Sequence, residues 1–222
     1  MKCKNTIAMV LAGAMLLPSN AFAADLSQYK DFPNDWSAKS LEQAIDDGLL
    51  NGSNGMIDAK GLLTRAQMAA IVSRSFGAAK TASLDDYRDV LPSAWYYSDM
   101  GKAVKMGAFQ GANGLLNPDA PITRAEFAAI AARFDDKNTN NTSNFSDIAS
   151  HWAKDEIGVA ANKGWINGYP DSTFRPDQYI TRAEAMTLVN RVLNRLPEKS
   201  EDLLDDMIKW PDNADASVWY YL

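Results

Sequence analysis

Apolar residues recur at helical spacing in three segments of the chain, and each segment begins at a tryptophan. After Trp36, apolar residues lie at offsets of 5, 8 and 9, and the same offsets are apolar after Trp95 and Trp152. Residues spaced in this way share one face of an α-helix. A glycine follows at an offset of 12, where it can adopt the left-handed conformation that ends a helix. The pattern therefore predicts three helices, each with one buried face and a closing glycine. These glycines are Gly48, Gly107 and Gly164.

A second helix is predicted after each copy of the triplet Thr-Arg-Ala. The triplets begin at Thr64, Thr123 and Thr181. Each threonine has a Glu or Gln three residues later, and such a pair forms a capping box, in which each side chain binds the other residue's backbone N–H. The three partner residues are Gln67, Glu126 and Glu184. Each segment is therefore predicted to consist of a helix, a glycine turn, a loop and a second helix.

These features divide most of the chain into three repeated units, with tryptophans 59 and then 57 residues apart. Units 1, 2 and 3 span residues 29–80, 84–137 and 144–197. A period this regular indicates one supersecondary unit used three times. The predicted fold class is mostly α, with three tandem helix-loop-helix repeats.

The two ends of the chain lie outside the three units. Residues 1–23 have the form of a secretory signal peptide, with a basic start, a short apolar stretch and the cleavage site Ala21-Phe22-Ala23. That stretch is too short for a membrane span, so we expect export. Residues 205–222 restart the unit, with Trp210 and Trp219 at positions of its aromatic residues. We expect them to begin a further, incomplete segment of a longer protein.

Composition and charge narrow the function classes. The net charge of -6 falls to about -8 once the signal peptide, with two lysines and no acids, is removed. Such an acidic chain disfavours nucleic-acid binding. The only cysteine, Cys3, leaves with the signal peptide, so no disulfide is expected. The single histidine, His151, has no metal-ligand or nucleophile spacing around it. We therefore expect no enzyme activity, no metal and no cofactor.

Helix capping explains the threonine and the glutamate of each motif but not the arginine. Arg65, Arg124 and Arg182 occupy the first helical position, where the helix dipole disfavours a cation by about 0.3–1 kcal/mol. One interpretation is a carboxylate or phosphate site, made by the guanidinium and the free backbone N–H groups of the helix start. Replacing such an arginine by alanine should weaken ligand binding and leave thermal stability nearly unchanged. The alternative is an ion pair with an acid of a neighbouring unit, such as Asp89 or Asp147.

The order of tryptophan, two glycines and Thr-Arg-Ala-Glu resembles the S-layer homology (SLH) domain. Unit 3 is the most complete match, over residues 145–193, and the resemblance covers about residues 29–197. Two residues of unit 1 depart from the family pattern: Gln67 replaces the glutamate, and Asn34 stands where the opening acid is expected. The loop GYPDSTFRPD is intact in unit 3 alone, so we expect Arg182 to matter most.

The resemblance implies a pseudo-threefold helical bundle with ligand grooves between units, near the starts of the Thr-Arg-Ala-Glu helices. It implies binding of secondary cell-wall polysaccharide, often with an acidic pyruvate ketal, by an exported protein of the cell wall or S-layer. A surface array or C-terminal cargo would be a further partner. The implied polysaccharide-binding positions are Arg65, Arg124, Arg182, Trp36, Trp95, Trp152, Gly52, Gly111, Gly168, Asp89, Asp147, Gln67, Glu126 and Glu184.

Other interpretations stay open at this point. The repeats could anchor a carbohydrate-active enzyme whose catalytic domain lies beyond residue 222, or they could form an adaptor that binds protein. An aromatic residue one turn before a helical stripe is typical of a core, so we expect the three tryptophans to be buried, with sugar stacking as the alternative. We expect the second glycine of each unit to be a turn residue rather than a ligand contact.

Overall fold

The computed structural model describes residues 25–134 and 143–193, which include most of the three units. The predicted signal peptide at 1–23 and the predicted further segment at 205–222 lie outside the described residues. Both therefore stay predictions.

Six α-helices, two in each unit, form the regular structure of the described residues. They are α1 (Ala38–Asp46) and α2 (Arg65–Ser75) in unit 1, α3 (Tyr97–Lys105) and α4 (Arg124–Ala132) in unit 2, and α5 (Lys154–Asn162) and α6 (Arg182–Val192) in unit 3. A 3-10 turn, Leu26–Gln28, precedes α1. The described part of the chain has isolated β-bridges but no sheet. The prediction of a mostly α fold with two helices in each unit is confirmed.

The helices begin and end at the predicted signals. A capping box starts α2, α4 and α6: the threonine hydroxyl accepts from the backbone N–H three residues on, and the Gln or Glu side chain accepts from the threonine N–H. The first helix of each unit ends two residues before a glycine in the left-handed region. The φ angles of Gly48, Gly107 and Gly164 are 67°, 78° and 69°. A side chain disfavours this conformation, so the glycines explain where these helices stop.

Three backbone hydrogen bonds close the units into a ring. The N–H of Ile122 donates to the carbonyl of Leu63 at 2.9 Å, and the N–H of Ile180 donates to the carbonyl of Ile122 at 3.1 Å. The ring closes where the N–H of Leu63 donates to the carbonyl of Ile180 at 3.2 Å. Each of these residues precedes a capping threonine and is fully buried. Because unit 3 binds unit 1 as unit 1 binds unit 2, the fold has the pseudo-threefold arrangement that the resemblance implied.

The helices pack chiefly between units. Among the described residues the close helix pairs are α2 with α3, α4 with α5, and α6 with α1. Side chains reinforce two of these pairs. The Ser73 hydroxyl of α2 donates to Asp99 of α3 at 2.9 Å, and the Asn190 amide of α6 donates to the carbonyl of Ser40 in α1 at 3.1 Å. The repeating unit of the sequence is therefore not the packing unit, since each second helix is covered by the next unit.

Candidate functional site

The arginine of each triplet contacts the loop of the following unit. In all three cases Nε donates to a loop carbonyl. The bonds run from Arg65 to Leu116 (2.8 Å), from Arg124 to Phe174 (2.8 Å) and from Arg182 to Ile57 (2.9 Å). We call these three contacts, in that order, junctions 1–2, 2–3 and 3–1. The arginines thus connect the same pairs of units as the backbone ring, but each arginine donates to the following unit, whereas the ring N–H groups donate to the preceding one.

The outer nitrogens of the guanidinium distinguish the junctions. In junctions 2–3 and 3–1, Nη2 donates to a second carbonyl of the next unit, Asn167 for Arg124 (2.7 Å) and Asn51 for Arg182 (3.1 Å). In junction 1–2, Nη1 of Arg65 instead pairs with the carboxylate of Glu126 at 2.5 Å. An ion pair with a neighbouring unit therefore does occur, but the acid is the capping glutamate and not an opening aspartate.

The first N–H groups of α2, α4 and α6 are already bound. The arginine N–H groups donate to Ala120 (2.9 Å), Gln178 (2.9 Å) and Gly61 (2.8 Å) in the next unit. The alanine N–H groups donate to Pro118 (2.8 Å), Pro176 (2.9 Å) and Ala59 (3.0 Å). The prediction of free N–H groups that bind an anion is wrong, because the adjacent loop supplies their acceptors. Those carbonyl oxygens also bring negative partial charge to the helix start, which explains how an arginine is tolerated there.

Arg124 is a fully buried cation with incomplete hydrogen bonding. Its guanidinium carbon lies 4.7 Å from the ring centroid of Phe174 and 5.0 Å from that of Tyr169. Cation–π attraction therefore offsets part of the desolvation cost. Its Nη1 is buried and has no acceptor among the described residues. Burial lowers the pKa of Arg124, while Tyr169 and Glu184 act to raise it. Arginine has so high an ordinary pKa that the group stays charged.

Arg182 is slightly less buried than Arg124, and different charged groups surround its guanidinium. Burial lowers the pKa of Arg182, while Asp58 and Asp31 act to raise it. In unit 3 the helix start is therefore paired electrostatically with acids of unit 1. The three arginines share a position in the motif but not a degree of burial or a set of neighbouring charges.

The opening aspartates shape the loops that the arginines bind. Asp89 accepts from the N–H groups of Leu116 (3.0 Å) and Asn117 (2.6 Å). Asp147 likewise accepts from Phe174 (2.8 Å) and Arg175 (2.7 Å). The residues that donate to the aspartates, Leu116 and Phe174, are those whose carbonyls the arginines bind. Each aspartate therefore positions a loop for the arginine of the preceding unit.

Unit 1 keeps its opening acid, and the assignment of that position to Asn34 is wrong. Asp31 accepts from the N–H groups of Ile57 (2.7 Å) and Asp58 (2.8 Å), as its equivalents do in the other units. Burial opposes the charged form of Asp31, but these N–H groups outweigh it and lower the pKa of Asp31. The sequence carried this signal, because Tyr29-Lys30-Asp31 matches the aromatic-x-Asp opening of units 2 and 3.

The second glycine of each unit makes room for an aromatic ring. A Cβ atom on these glycines would overlap a ring carbon of the opening aromatic residue and a loop carbonyl. The pairs are Gly52 with Tyr29, Gly111 with Tyr87 and Gly168 with Phe145. None of these glycines is in the left-handed region. They are therefore needed for close packing rather than for the turn that we expected.

The tryptophans are not a set of core residues. Trp95 is 63% exposed and Trp152 is 61% exposed, whereas Trp36 is partly buried against the core. The expectation of burial is wrong for Trp95 and Trp152, because in both units the next residue, Tyr96 or Ala153, takes the buried position. Their indole rings are left at the surface.

The capping residues have structural contacts of their own. Gln67, Glu126 and Glu184 accept from the capping threonine N–H at 3.0, 2.9 and 2.7 Å. Gln67 therefore keeps the helix cap of unit 1. Because Gln67 is an amide, junction 3–1 lacks the carboxylate that Glu126 and Glu184 bring to the other two junctions. The charge of junction 3–1 therefore differs, but its helix cap does not.

Sequence reasoning missed two side chains of the unit 3 loop. The guanidinium carbon of Arg175 lies 3.8 Å from the ring centroid of Tyr169, the ring that Arg124 also contacts. Arg175 also forms a 3.2 Å ion pair with Asp171. The signal that could have found them is that only unit 3 carries both a tyrosine and an arginine in this loop.

An apolar cavity lies apart from these junctions, between the second helices of the three units, α2, α4 and α6. Its lining includes Ile71, Ile130 and Val189, with Phe76 stacked on Phe134 at 4.3 Å. A polar ligand would lose hydrogen bonds there, so we do not assign the cavity to the candidate site.

Within the described residues no His, Cys, Asp and Glu side chains cluster as metal ligands. No helix in that part of the chain is both long enough and apolar enough to cross a membrane.

Comparison with known proteins identifies the repeat. The family model for the S-layer homology domain matches residues 28–69, 86–128 and 144–186. Cell surface glycoprotein 1 of Acetivibrio thermocellus is 36% identical over 151 residues, 61% of this chain and 6% of that protein.

Two further relatives come from the same species. Its cellulosome-anchoring protein is 36% identical over 155 residues, 64% of this chain and 34% of that protein. Its exoglucanase XynX is 28% identical over 184 residues, 79% of this chain and 17% of that enzyme. The chain thus spans about a third or less of the length of these relatives. Because the three family matches cover more than half of the chain, this protein belongs to the S-layer homology domain family.

Proposed function

We propose that this protein anchors an exported protein to the cell envelope by binding an anionic secondary cell-wall polysaccharide without a covalent bond. Family membership supports the proposal, as do relatives named as a cell surface glycoprotein and a cellulosome-anchoring protein. The acidic group that we propose on the polymer is a pyruvate ketal. Its carboxylate would contact side chains, because the helix-start N–H groups already have acceptors.

The proposal rests on two exposed indoles, those of Trp95 and Trp152, each of which lies beside a loop that a triplet arginine binds. Trp95 packs edge-on against Tyr96, with 5.4 Å between the ring centroids. The pKa of Tyr96 is raised chiefly by burial and, to a smaller extent, by the charge of Asp119. Asp119 belongs to the unit 2 loop. A solvent-exposed indole next to polar loop groups is suited to stacking on a sugar ring while those groups bind its hydroxyls.

Unit 3 repeats this arrangement. Trp152 lies 5.4 Å from the ring of His151, and Nε2 of His151 lies 3.4 Å from a carboxylate oxygen of Asp177. The backbone N–H of Ala153 donates to Nδ1 of the same ring at 3.1 Å, so Nε2 carries the proton and donates to Asp177. The indole is therefore placed beside the loop that Arg124 binds.

In this proposal the buried arginines act chiefly by positioning. Arg124 and Arg182 fix loop carbonyls, and thereby the loops on which polymer contacts would be made. The nature of the cargo is a separate matter. The relative that is an exoglucanase suggests an enzyme as one class of cargo, and the wall-binding role of this chain would be the same.

The proposal is tested by removing the exposed indoles. The double variant Trp95→Ala/Trp152→Ala should bind purified wall polysaccharide about tenfold more weakly than the wild type, since each stacking contact contributes about 0.5–1.5 kcal/mol. Leu91→Ala is the matched control, because Leu91 is also an exposed apolar residue but lies outside the loops that the arginines bind. Equal binding by the double variant, the control and the wild type would rule out the indoles as the binding surface.

A further inference from the structure

The apolar cavity between α2, α4 and α6 is buried at one end and opens toward solvent at the other. Its inner lining, which includes Met68 and Ile71, is buried. Its outer lining lies at the C-terminal ends of the three helices and is only partly buried. These outer residues are Ser75, Phe76, Phe134, Val192 and Leu193. The empty volume, mouth included, is about 340 Å³. Apolar surface at this end of the bundle therefore faces solvent.

The lining also contains a hydroxyl that has no hydrogen-bond partner. Ser75 is the one polar residue among the lining residues, and its hydroxyl oxygen is buried without a partner in the described part of the chain. A buried hydroxyl without a partner is unfavourable, and a complete core is packed without such openings. A contiguous apolar opening of this kind is typical of an interaction surface. The described residues therefore lack the element that covers the mouth.

A cation at the same end of the bundle is incompletely bonded. Arg74, Arg133 and Arg191 are equivalent residues near the ends of α2, α4 and α6. Arg74 donates to the carbonyl of Gly48 at 3.5 Å, and Arg133 donates to that of Ala108 at 2.5 Å. For Arg191, in contrast, Nη1 is buried without an acceptor among the described residues. Burial lowers the pKa of Arg191, and no charge among those residues offsets this effect. A carboxylate supplied by another segment would therefore be stabilised beside Arg191.

The chain continues from the mouth of this cavity into a segment with a matching pattern. Leu193, the last described residue, belongs to the lining, and residues 194–222 follow it. Within them, residues 201–210 read EDLLDDMIKW, and we call these the tail segment. Its four aliphatic residues share one helical face. They are Leu203, Leu204, Met207 and Ile208. Ser200 directly before the segment, two acids at its start and Pro211 directly after it are signals for the start and the end of a helix.

Tethering and charge favour the tail segment over a separate partner. Residues 194–200 join it to α6, and a connection of this length is usual between two helices that pack together. A short tether gives a local concentration in the millimolar range, with which a second copy of the chain would have to compete. The segment has four acids and one lysine, so its charge is opposite to that of the arginines at the mouth. A helix of ten residues is marginal in water by itself and needs such a surface.

We propose that residues 201–210 form a helix that covers the mouth of the apolar cavity, with its aliphatic face against the ends of α2, α4 and α6 and its acids near Arg191. A helix is about 10–12 Å across with its side chains, so the tail segment lies across the mouth and inserts side chains into the cavity. The chain beyond residue 210 then leaves the bundle from a fixed position. This surface is separate from the three junctions, so the inference does not depend on the proposed polysaccharide binding.

Disulfide trapping in the full chain tests the contact. Cys3→Ser removes the one native thiol, so that introduced cysteines can pair only with each other. Ser75→Cys is combined with Met207→Cys in one variant and with Leu203→Cys in a second, which samples two positions on the aliphatic face. The matched control combines Ser53→Cys with Met207→Cys. Ser53 is exposed in the unit 1 loop that contacts the start of α6, at the opposite end of that helix from the mouth.

Under mild oxidation, at least one of the two Ser75→Cys pairs should form an intramolecular disulfide about tenfold faster than the control pair. A disulfide needs Cβ atoms about 3.5–4.5 Å apart, and only a docked segment holds them there. Adding Leu204→Asp and Ile208→Asp should lower the rate to that of the control, whereas Ala214→Asp with Ala216→Asp adds the same charge and should leave it unchanged. Equal rates for the Ser75→Cys and Ser53→Cys pairs would overturn the proposal. A cross-linked dimer would also overturn it, because a second copy would then cover the cavity.

Hydrogen exchange of the unmodified chain provides a measurement that needs no substitution. The backbone amides of residues 203–210 should exchange at least tenfold more slowly than those of residues 213–218, because a docked helix protects its amides. Exchange at the same rate in both stretches would show that the tail segment does not dock, and the proposal would be abandoned.

Discussion

Junctions 1–2 and 2–3 are built from the same motif but neutralise their arginine in different ways. Both arginines have a loop carbonyl and an aromatic ring as partners, but Arg65 also has the carboxylate of Glu126, whereas Arg124 is fully buried and has no carboxylate partner among the described residues. The capping glutamate of unit 3, Glu184, accepts from the backbone in the same way as Glu126 but is not paired with Arg124. One repeated triplet can therefore support an ordinary ion pair in one place and an incompletely neutralised cation in another. The difference arises from the loop that each arginine meets.

The largest effect should come from truncating the two arginines. Arg124→Ala leaves the carbonyls of Phe174 and Asn167 without a donor and opens space beside two rings, so we expect about 3–5 kcal/mol of destabilisation. Arg65→Ala should cost about 1–2 kcal/mol, because its partner Glu126 is partly exposed and can be hydrated. Urea unfolding of both variants measures the difference.

This reverses the expectation drawn from the sequence, that these arginines could be removed with little change in stability. A result in which Arg124→Ala melts like the wild type would restore that expectation. It would also show that the carbonyl contacts of junction 2–3 contribute little to the fold.

A smaller effect isolates the ion pair. Glu126→Gln keeps the helix cap, as Gln67 shows in unit 1, but removes the charge that pairs with Arg65. A double-mutant cycle between Arg65→Ala and Glu126→Gln should give a coupling of about 1 kcal/mol. Glu184→Gln, crossed with Arg124→Ala, is the matched control and should give a smaller value. Equal coupling in both cycles would mean that the two junctions do not differ electrostatically.

The smallest effect concerns pH and the remaining junction, 3–1. Because the folded-state pKa of Asp31 is lowered, its contribution to stability is present above the unfolded value of 3.8 and is lost as the pH falls below it. Asp31→Asn should therefore be less stable than the wild type at neutral pH and should approach it in acid. Thermal melts between neutral pH and about pH 3 measure this convergence. A constant gap across that range would exclude the carboxylate charge as the cause.

The sequence was sufficient for the local structure because capping and helix termination are local. Thr123 with Glu126 and the glycine Gly107 specify a helix start and a helix end through nearest neighbours alone, and both are present as predicted. The threefold arrangement followed from the repeat and the family resemblance. The order of helix packing did not, because nothing within one unit states that its second helix is covered by the next unit.

The candidate site was predicted less well, because its hydrogen bonds and ion pairs are formed between units. The helix-start N–H groups of Arg65 and Arg124 were expected to be free, and only the assembled ring shows that loops more than 50 residues away accept from them. The exposure of Trp95 was missed for a related reason. The spacing of apolar residues shows which face of a helix is buried, but it does not show which way the side chain before the helix points. Asp31 could have been assigned correctly by matching Tyr29-Lys30-Asp31 with the opening triplets of units 2 and 3.

The measurement that tests the central claim most directly is sedimentation of the protein, without its predicted signal peptide, with purified cell walls before and after the accessory polysaccharide is stripped. We predict that the protein pellets with intact walls and stays in the supernatant with stripped walls. An excess of soluble polysaccharide should release it from intact walls. Equal pelleting on stripped walls would contradict polysaccharide anchoring and would direct the search to another component of the envelope.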